Sequence, residues 1–279
     1  MKAIFDDISN QTSRVTTQAY STSFTMGIRL LHQKFHQPIY NVYGFVRLAD
    51  EIVDTFLNHD KKALLDEFKL ATHQAIERGI SLNPILNSFQ NTVNKYNIEL
   101  DLIDTFLDSM YMDLEKIEYN IETYEKYILG SAEVVGLMCL RIFTEGDAEE
   151  YDRLKPTAMS LGSAFQKVNF LRDLKADSEN LGRMYFPDVD KTKFSALEKE
   201  QIEKDILQDF NHALGGIQQL PNGARLGVYA AYVFYKALFN KIKSTSPQQL
   251  LNKRVRISNF NKFVLMVQSY FKHQLNILS

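Results

Sequence analysis

The chain has 279 residues, of which 45% are apolar and 24% charged, with 32 basic against 34 acidic side chains and a net charge of −2. This length suits one large domain or two small ones, and either can bury a substantial core. The near-neutral charge gives no support for nucleic-acid binding, whose affinity comes mainly from basic groups that neutralise phosphates. Any binding of anions must therefore be confined to a local site.

The N-terminal segment and the cysteine content indicate a compartment. Residues 1–13 contain acidic side chains where a signal peptide needs a long apolar stretch. No apolar run reaches the roughly 18–20 residues that span a bilayer. Cys139, the single cysteine, lies in an apolar run and is predicted to be a buried, inert thiol. We expect a cytoplasmic protein whose contact with membranes is peripheral, at the inner face.

Apolar residues recur at helical spacing through nearly every segment, and no alternating strand pattern recurs with hairpin turns. Breaks are predicted at or close to Pro38, Pro84, Pro156, Pro187, Pro221 and Pro247. Pro156 has a second interpretation, inside the first turn of a helix or at a kink. No linker or repeat divides the chain, so we predict one all-α domain over residues 1–279. Its predicted helices are 10–32, 38–58, 62–79, 84–96, 100–117, 122–144, 147–178, 197–219, 222–245 and 258–276.

The second predicted helix carries a narrow polar face on an otherwise apolar surface. At about 100° per residue, one side of it is shared by Asn41, Gly44, Arg47, Asp50, Glu51 and Asp54. Asp50 and Asp54 are one turn apart and project in the same direction. The solvated face of an amphipathic helix has the same pattern, so this segment alone does not decide between a surface and a binding site.

The seventh predicted helix carries a second polar row within an arc of about 80°. Its members are Gln166, Asn169, Asp173 and Asp177, with the small residues Ala158, Gly162 and Ala176 on or beside the arc. A solvated face usually mixes lysines with acids at this spacing, but Lys167 and Lys175 point away from the row. Mg²⁺ prefers oxygen ligands and often binds through a few carboxylates plus substrate phosphates. We infer that the two polar faces meet across a helical bundle around a metal and a diphosphate.

These two segments resemble the acidic motifs of the squalene and phytoene synthase family of trans-isoprenyl diphosphate synthases. The first motif is matched by the sequence DEIVD, from Asp50 to Asp54. The second motif and the Gly-Arg-x-Tyr-x-Pro segment after it are matched by Gln166, Asn169, Arg172, Asp173, Asp177, Gly182, Arg183, Tyr185 and Pro187. Further matches, which extend the resemblance over almost the whole chain, are Ser21, Ser23, Arg47, Asp113, Tyr127, Gly136, Tyr235 and Arg254. The chain departs from the family pattern at Ala176 and at Glu133, which is expected to narrow or reshape the tunnel.

The resemblance implies a fold, a reaction and a set of roles. The fold is an isoprenoid-synthase-type helical bundle with a central apolar cavity. The reaction is that of a phytoene synthase, a prenyltransferase of carotenoid biosynthesis. It condenses two geranylgeranyl diphosphates head to head through a cyclopropyl diphosphate and releases two pyrophosphates, with Mg²⁺ or Mn²⁺ and without NADPH. The metal ligands implied are Asp50, Glu51, Asp54, Asn169, Asp173 and Asp177. Arg47, Tyr43 and Tyr235 join Asp50, Asp54, Asp173 and Asp177 in catalysis. Substrate contacts are assigned to Ser21, Ser23, Arg47, Tyr127, Gln166, Asn169, Arg172 and Arg254.

Three alternatives remain open from the sequence. A squalene or dehydrosqualene synthase would use the same motifs on farnesyl diphosphate, and squalene synthase would also need NADPH. A terpene cyclase shares the i, i+4, i+8 ligand spacing of the second row but consumes one substrate per product. A non-catalytic assembly factor would be expected to lose its metal carboxylates. The expected partners are isoprenyl diphosphates and, transiently, a membrane surface.

Overall fold

The structure is a computed structural model that describes residues 1–115, 119–176, 184–187, 189, 194–275 and 277–278. These residues form α-helices and connections without a strand, which confirms the all-α class. A π-helical turn, Leu129–Glu133, joins α7 to α8. The helices are α1 (Lys2–Tyr20), α2 (Thr22–Arg29), α3 (Gln33–Asp54), α4 (Lys61–Arg78), α5 (Pro84–Tyr96), α6 (Leu100–Met112), α7 (Ile121–Ile128), α8 (Val134–Phe143), α9 (Ala148–Ala176), α10 (Ala196–Gln219), α11 (Asn222–Lys243), α12 (Pro247–Asn252) and α13 (Asn259–Gln274).

The predicted first helix, residues 10–32, is wrong in two respects. The structure has two helices here, α1 and α2, and α1 begins at Lys2 rather than near residue 10. Ser21 separates them with extended backbone angles (φ −142°, ψ 102°), and its side chain accepts a hydrogen bond from the backbone N–H of Phe24. Serine is favoured as an N-cap because its hydroxyl pairs with an otherwise unpaired N–H in the first turn. The cap thus ends one helix and begins the next without interrupting the apolar pattern.

The prolines fall into two groups. Pro84 and Pro247 begin α5 and α12, and Pro221 is the N-cap of α11, as expected for residues that fix φ and lack an N–H. Pro38 and Pro156 instead lie inside α3 and α9. The break predicted at Pro38 is wrong, whereas Pro156 lies within its helix, as the predicted helix 147–178 had placed it. Each removes one helical hydrogen bond, and tertiary packing of the long helices outweighs this local effect.

Two apolar cores divide the bundle, and α9 contributes to both. In the first core the Phe45 ring stacks on Phe89 with centroids 3.9 Å apart. In the second core the Phe170 ring stacks on Tyr185 at 4.2 Å. Leu154, near the start of α9, belongs to the first core and Leu171, near its end, to the second. The polar row of α9 is therefore held between two rigid packing units.

The first half of the predicted polar face of α3 does not belong to the acidic site. The Asn41 amide donates to Thr92 Oγ1 of α5 at 3.0 Å. A Cβ on Gly44 would lie 2.7 Å from Ser13 Oγ of α1, so glycine is needed for this close approach. Asn41 and Gly44 thus serve the packing of α3 against α1 and α5. Helical phase alone had grouped them with the acids because it does not identify the neighbouring helix.

A cavity of about 250 Å³ lies between α2, the π-turn with α8, and α9 to α11. Its wall is mostly apolar and follows α9 from Leu154 to Gln166, a rise of about 18 Å for an α-helix. Ala158 and Gly162 lie on this wall, as their place beside the polar row predicted. A Cβ on Gly162 would lie 2.7 Å from the backbone oxygen of Ala132, which explains the glycine. Within the described part of the chain, no helix combines the length and apolarity needed to cross a bilayer.

Candidate active site

The C-terminal half of α3 holds Arg47 among its acids. Arg47 Nη1 donates to Asp50 Oδ2 at 2.6 Å, and the guanidinium also pairs with Glu51. Its Cζ lies 4.2 Å from the centre of the Tyr20 ring, within the range of a cation–π contact. Arg47 Nε is buried and has no hydrogen-bond partner among the described residues. A buried donor without a partner is unfavourable, so this N–H is available to an anionic ligand.

Ser21 and Tyr43 continue this side of the site. The Tyr43 hydroxyl interacts with the Ser21 side chain, and burial raises the pKa of Tyr43 although Arg47 opposes the shift. Tyr43 is therefore neutral at physiological pH and keeps its O–H donor. Its ring lies 4.9 Å from that of Phe24, a residue of the cavity wall. Ser23 is half-buried in the first turn of α2, two positions after Ser21 in the sequence.

On α9 the polar row forms a chain of hydrogen bonds. Gln166 Nε2 donates to Ser131 Oγ of the π-turn at 3.1 Å, and both residues line the cavity. Asn169 Nδ2 donates to Gln166 Oε1 at 3.4 Å, and the Tyr235 hydroxyl donates to Asn169 Oδ1 at 3.3 Å. The Tyr235 ring stacks on Phe165, with centroids 3.9 Å apart. These contacts fix the row at the polar end of an apolar cavity.

Two arginines hold the carboxylate of Asp173. Arg172 Nε lies 3.1 Å from each of its oxygens, and Arg254 Nε contacts Oδ1 at 2.7 Å from the segment before α13. Burial alone would lower the pKa of Arg172, but the hydrogen bonds to Asp173 and Tyr235 raise it, so the group remains charged. On α13, burial and the positive charge of Arg172 lower the pKa of the Lys262 ammonium group. Asp173 therefore sits in a strongly cationic setting.

Both polar faces reach the same cavity. The Tyr43 ring packs on Phe24 and the Tyr235 ring on Phe165, and both phenylalanines line the cavity. That the acids of α3 and α9 face each other across it stays a prediction. Asp177, Gly182 and Arg183 lie outside the described residues.

The donor set suits a hard metal ion that arrives with its substrate. Asp50, Asp54, Asn169 and Asp173 offer carboxylate and amide oxygens, the ligands that Mg²⁺ prefers. Across the described residues, no three His, Cys, Asp or Glu side chains form a cluster that could hold a metal by themselves. Mg²⁺ usually keeps several waters and uses one or two carboxylates plus substrate phosphates. The residues present thus fit Mg²⁺ bound together with a diphosphate.

The structure places three residues in surroundings that differ from those expected from the sequence. Tyr127, expected at the substrate, is 4% exposed, and its hydroxyl donates to Asp113 at 2.8 Å, away from the cavity wall. Glu133 is not among the residues that line the cavity, although its Cα packs on Gly162 of the wall; burial and Asp209 raise the pKa of Glu133 to about 7. Cys139 lines the cavity, and burial raises the pKa of its thiol to about 12. With a raised pKa the thiol stays protonated at neutral pH, and it is half-buried against the cavity rather than fully buried as predicted.

The sequence interpretation missed several residues of the site. Tyr20 contacts Arg47, Ser131 bonds Gln166, and Lys262 approaches Arg172. Tyr20 directly precedes the Ser21 segment, so its place in the chain was a usable signal. Ser131 and Lys262 come from other helices, and only the tertiary fold brings them here.

Comparison with known proteins identifies similar sequences. A family model described as squalene/phytoene synthase matches residues 17–209. Phytoene synthase 1, chloroplastic, of Zea mays is 23% identical over 92% of this chain and 67% of its own length. Phytoene synthase, chloroplastic, of Daucus carota is 24% identical over 90% of this chain and 67% of its own length. The chain thus spans about two thirds of these plant relatives.

Solved structures share the fold. A dehydrosqualene synthase in complex with ligand superimposes with a TM-score of 0.83 at 19% identity, covering 97% of this chain and 98% of that one. Squalene synthase HpnC from Alicyclobacillus acidocaldarius superimposes with a TM-score of 0.75 at 20% identity, covering 88% and 95%. The predicted isoprenoid-synthase-type bundle is confirmed by these matches.

Proposed function

The chain belongs to the squalene/phytoene synthase family of head-to-head prenyltransferases, and from this premise we propose that it condenses two geranylgeranyl diphosphates to phytoene in carotenoid biosynthesis. The observation that carries the proposal is the continuity between an apolar cavity and a charged end. Gln166 lines the cavity and bonds Asn169, one turn before the Asp173–Arg254 pair. An isoprenyl diphosphate has the same division into a long apolar tail and a charged head.

In this proposal the charged residues exchange partners when substrate binds. Asp50, Glu51, Asp54, Asn169, Asp173 and Asp177 would hold Mg²⁺, or Mn²⁺ in its place. Bound metal supplies positive charge that stabilises the departing diphosphate. Arg47 and Arg254 now pair with acids of the site, and their guanidinium groups would turn to phosphate oxygens. The unpartnered Arg47 Nε supports this, because it is a donor already present without a protein acceptor. Ser21 and Ser23 would add hydroxyl donors, and Arg172 a third guanidinium.

The reaction would use two ionisations. The first C–O bond breaks to give pyrophosphate and an allylic cation, which the double bond of the second substrate attacks. Loss of a proton leaves a cyclopropyl diphosphate. The second ionisation releases another pyrophosphate, and rearrangement with loss of a further proton gives phytoene. The atoms and electrons balance without a reductant, so NADPH is not required.

The aromatic residues would protect the cation. Phe24 and Phe165 line the cavity and exclude water, which would otherwise trap the cation as an alcohol. Tyr43 and Tyr235 place phenol rings beside them, and an aromatic face attracts positive charge. The raised pKa of Tyr43 keeps that phenol protonated. Tyr127 was expected to contact the substrate. Because its hydroxyl donates a hydrogen bond to Asp113, we instead assign it a role in the packing behind the site.

A second candidate substrate is farnesyl diphosphate. The similarity to a dehydrosqualene synthase along 97% of this chain favours it, whereas the sequence relatives are phytoene synthases. Both reactions use the same charged end and differ in the length of the tail. The two candidates therefore make different demands on the length of the cavity along α9.

The test is incubation of the purified protein and Mg²⁺ with geranylgeranyl or farnesyl diphosphate, with and without NADPH. Pyrophosphate and hexane-soluble product are measured together. We expect a forty-carbon hydrocarbon without NADPH and two pyrophosphates per product. A thirty-carbon product from farnesyl diphosphate alone would replace the substrate proposal, and no pyrophosphate from either substrate in folded protein would end it. The matched control pair is Asp173→Asn against Asp101→Asn, an exposed acid in the first turn of α6.

A further inference from the structure

Positive charge is concentrated in the last quarter of the chain. Residues 210–279 contain nine of the 32 lysines and arginines and none of the 34 acidic side chains. The preceding part of the chain is therefore strongly acidic, although the whole is nearly neutral. Such asymmetry between segments is typical of proteins that contact a charged surface. Basic residues alone are also typical of an ordinary solvent-exposed face, so a second feature is needed to identify an interaction surface.

The second feature is the outer face of α13, which we call the aromatic face and define by Phe260, Phe263, Tyr270 and Phe271. At about 100° per residue these residues fall within an arc of about 100°. Their exposed fractions are 74%, 55%, 46% and 60%. On the opposite side Ser269 is buried. Aromatic side chains are normally buried, and a contiguous exposed group of them marks an interaction surface.

Basic side chains lie at the N-terminal end of the aromatic face. Lys253 and Arg256 are exposed just before α13, in the segment that leads to Phe260. Exposed aromatic residues bordered by lysines and arginines are typical of helices that lie in the plane of an anionic membrane. We propose that the aromatic face of α13 docks the protein onto an anionic lipid bilayer. The helix lies along the headgroup region and does not cross it.

Charge favours a lipid surface over a second copy of this chain. In a two-fold symmetric dimer the same patch meets itself, so two basic borders would face each other and repel. An unsymmetrical contact with the acidic part of another copy would leave further patches open and give an extended assembly rather than a closed dimer. An anionic bilayer supplies both an apolar layer for the rings and negative headgroups for the lysines and arginines.

The same segment is connected to the candidate active site. Arg254, just before α13, contacts Asp173 at 2.7 Å. Docking through α13 therefore brings the charged end of the cavity near the bilayer surface. Exchange of long isoprenoids with the membrane would follow, and this consequence alone rests on the proposed function.

The absence of tryptophan from the chain allows a direct test. F263W and L197W each introduce a single fluorophore at an exposed apolar position, on α13 and on α10 respectively. Each is mixed with phosphatidylcholine vesicles, with or without about 30% phosphatidylglycerol. We expect the F263W emission to shift to the blue and to be quenched by brominated lipid, with anionic vesicles only. L197W should show neither effect while the protein is bound.

Sedimentation with the same vesicles supplies the second measurement. Binding should fall at least about tenfold in K253E/R256E and in F260S/F271S, and also when salt rises from about 0.1 M to about 0.5 M. L197S, with the same 74% exposure as Phe260, should bind as the wild type does. Circular dichroism confirms that each variant is folded. No binding of the wild type, equal binding by F260S/F271S, or a dimer that F260S/F271S dissociates without vesicles would each overturn the proposal.

Discussion

Gly162 lies at a close contact between α9 and the π-turn, and Gly162→Ala measures how tight that contact is. An added Cβ would lie 2.7 Å from the oxygen and 3.0 Å from the carbon of the Ala132 carbonyl, and 3.0 Å from Glu133 Cα. All three are backbone atoms, so rotation of a side chain cannot relieve the clash. Overpacking of this kind costs about 1–3 kcal/mol of unfolding free energy.

Gly215→Ala is the matched control. Gly215 lies inside α10, and an added Cβ there meets no atom within 4 Å. Both variants gain the same helix propensity, about 0.5–1 kcal/mol for glycine to alanine. The difference between their unfolding free energies therefore isolates the steric effect. We expect G215A to be at least as stable as the wild type and G162A to fall about 1–3 kcal/mol below G215A.

Urea unfolding followed by circular dichroism measures this difference if the two m-values agree. In thermal unfolding the same difference corresponds to about 2–8 °C for a chain of this size. Equal stability of G162A and G215A would refute the reasoning, because it would mean that α9 and the π-turn can separate without loss. A lower stability of G215A than of the wild type would refute the assumption of a shared propensity gain.

Three further predictions concern the site. Asp50→Asn and Asp173→Asn should each lower turnover at least about 100-fold, because the carboxylate charge is lost. Circular dichroism and melting temperature should change little, because the amide keeps a hydrogen-bond acceptor. A wild-type rate at limiting Mg²⁺ would contradict the role of that residue. Cys139→Phe should lower the ratio of activity on geranylgeranyl diphosphate to activity on farnesyl diphosphate about tenfold or more, because the ring fills the cavity. Cys139→Ser should leave the ratio unchanged. The same ratio for Cys139→Phe and the wild type in substrate competition would contradict this. Burial and Asp209 raise the pKa of Glu133 from 4.5 in the unfolded chain to about 7 in the folded protein. Between these two pH values the folded state binds a proton that the unfolded state has lost, so the stability of the fold decreases as the pH rises from 4.5 to about 7. Relative to Glu133→Gln, the wild type should therefore lose about 1–2 kcal/mol of unfolding free energy between about pH 5 and pH 8, after allowance for partial exposure. Urea unfolding at a series of pH values measures this, and a constant difference between the two proteins would contradict it.

Local signals explain which helices the sequence predicted well. The bounds of α5 were predicted correctly because Asn83 caps its first turn, Pro84 follows at the first helical position, and Asn97 ends it with a positive φ of 52°. The cap at Ser21 was missed because the apolar pattern continues across it. The six-residue helix α12 was missed because it is too short to show a helical period.

The site was predictable to the extent that helical phase determines it. Phase placed Asp50 and Asp54 on one face of α3, and Asn169 and Asp173 on one face of α9. It could not show that Arg254 reaches Asp173 across 81 residues of sequence, because that contact depends on how the C-terminal segment packs. Nor could it show that Tyr127 bonds Asp113 in the second core. Pairing between distant segments is a property of the whole fold rather than of any one helix.

The effect of deleting one residue depends on whether the deletion falls in the π-turn or in α9. A π-helical turn holds one residue more than an α-turn, so deletion of one residue within Leu129–Glu133 would merge α7 and α8 into one regular helix. Both halves would keep the faces that they now present to the core and the cavity. The same deletion in the middle of α9 would rotate every later residue by about 100° and turn Asn169 and Asp173 away from the cavity. Chain length can therefore vary at the turn without moving the ligands, whereas α9 has no such freedom.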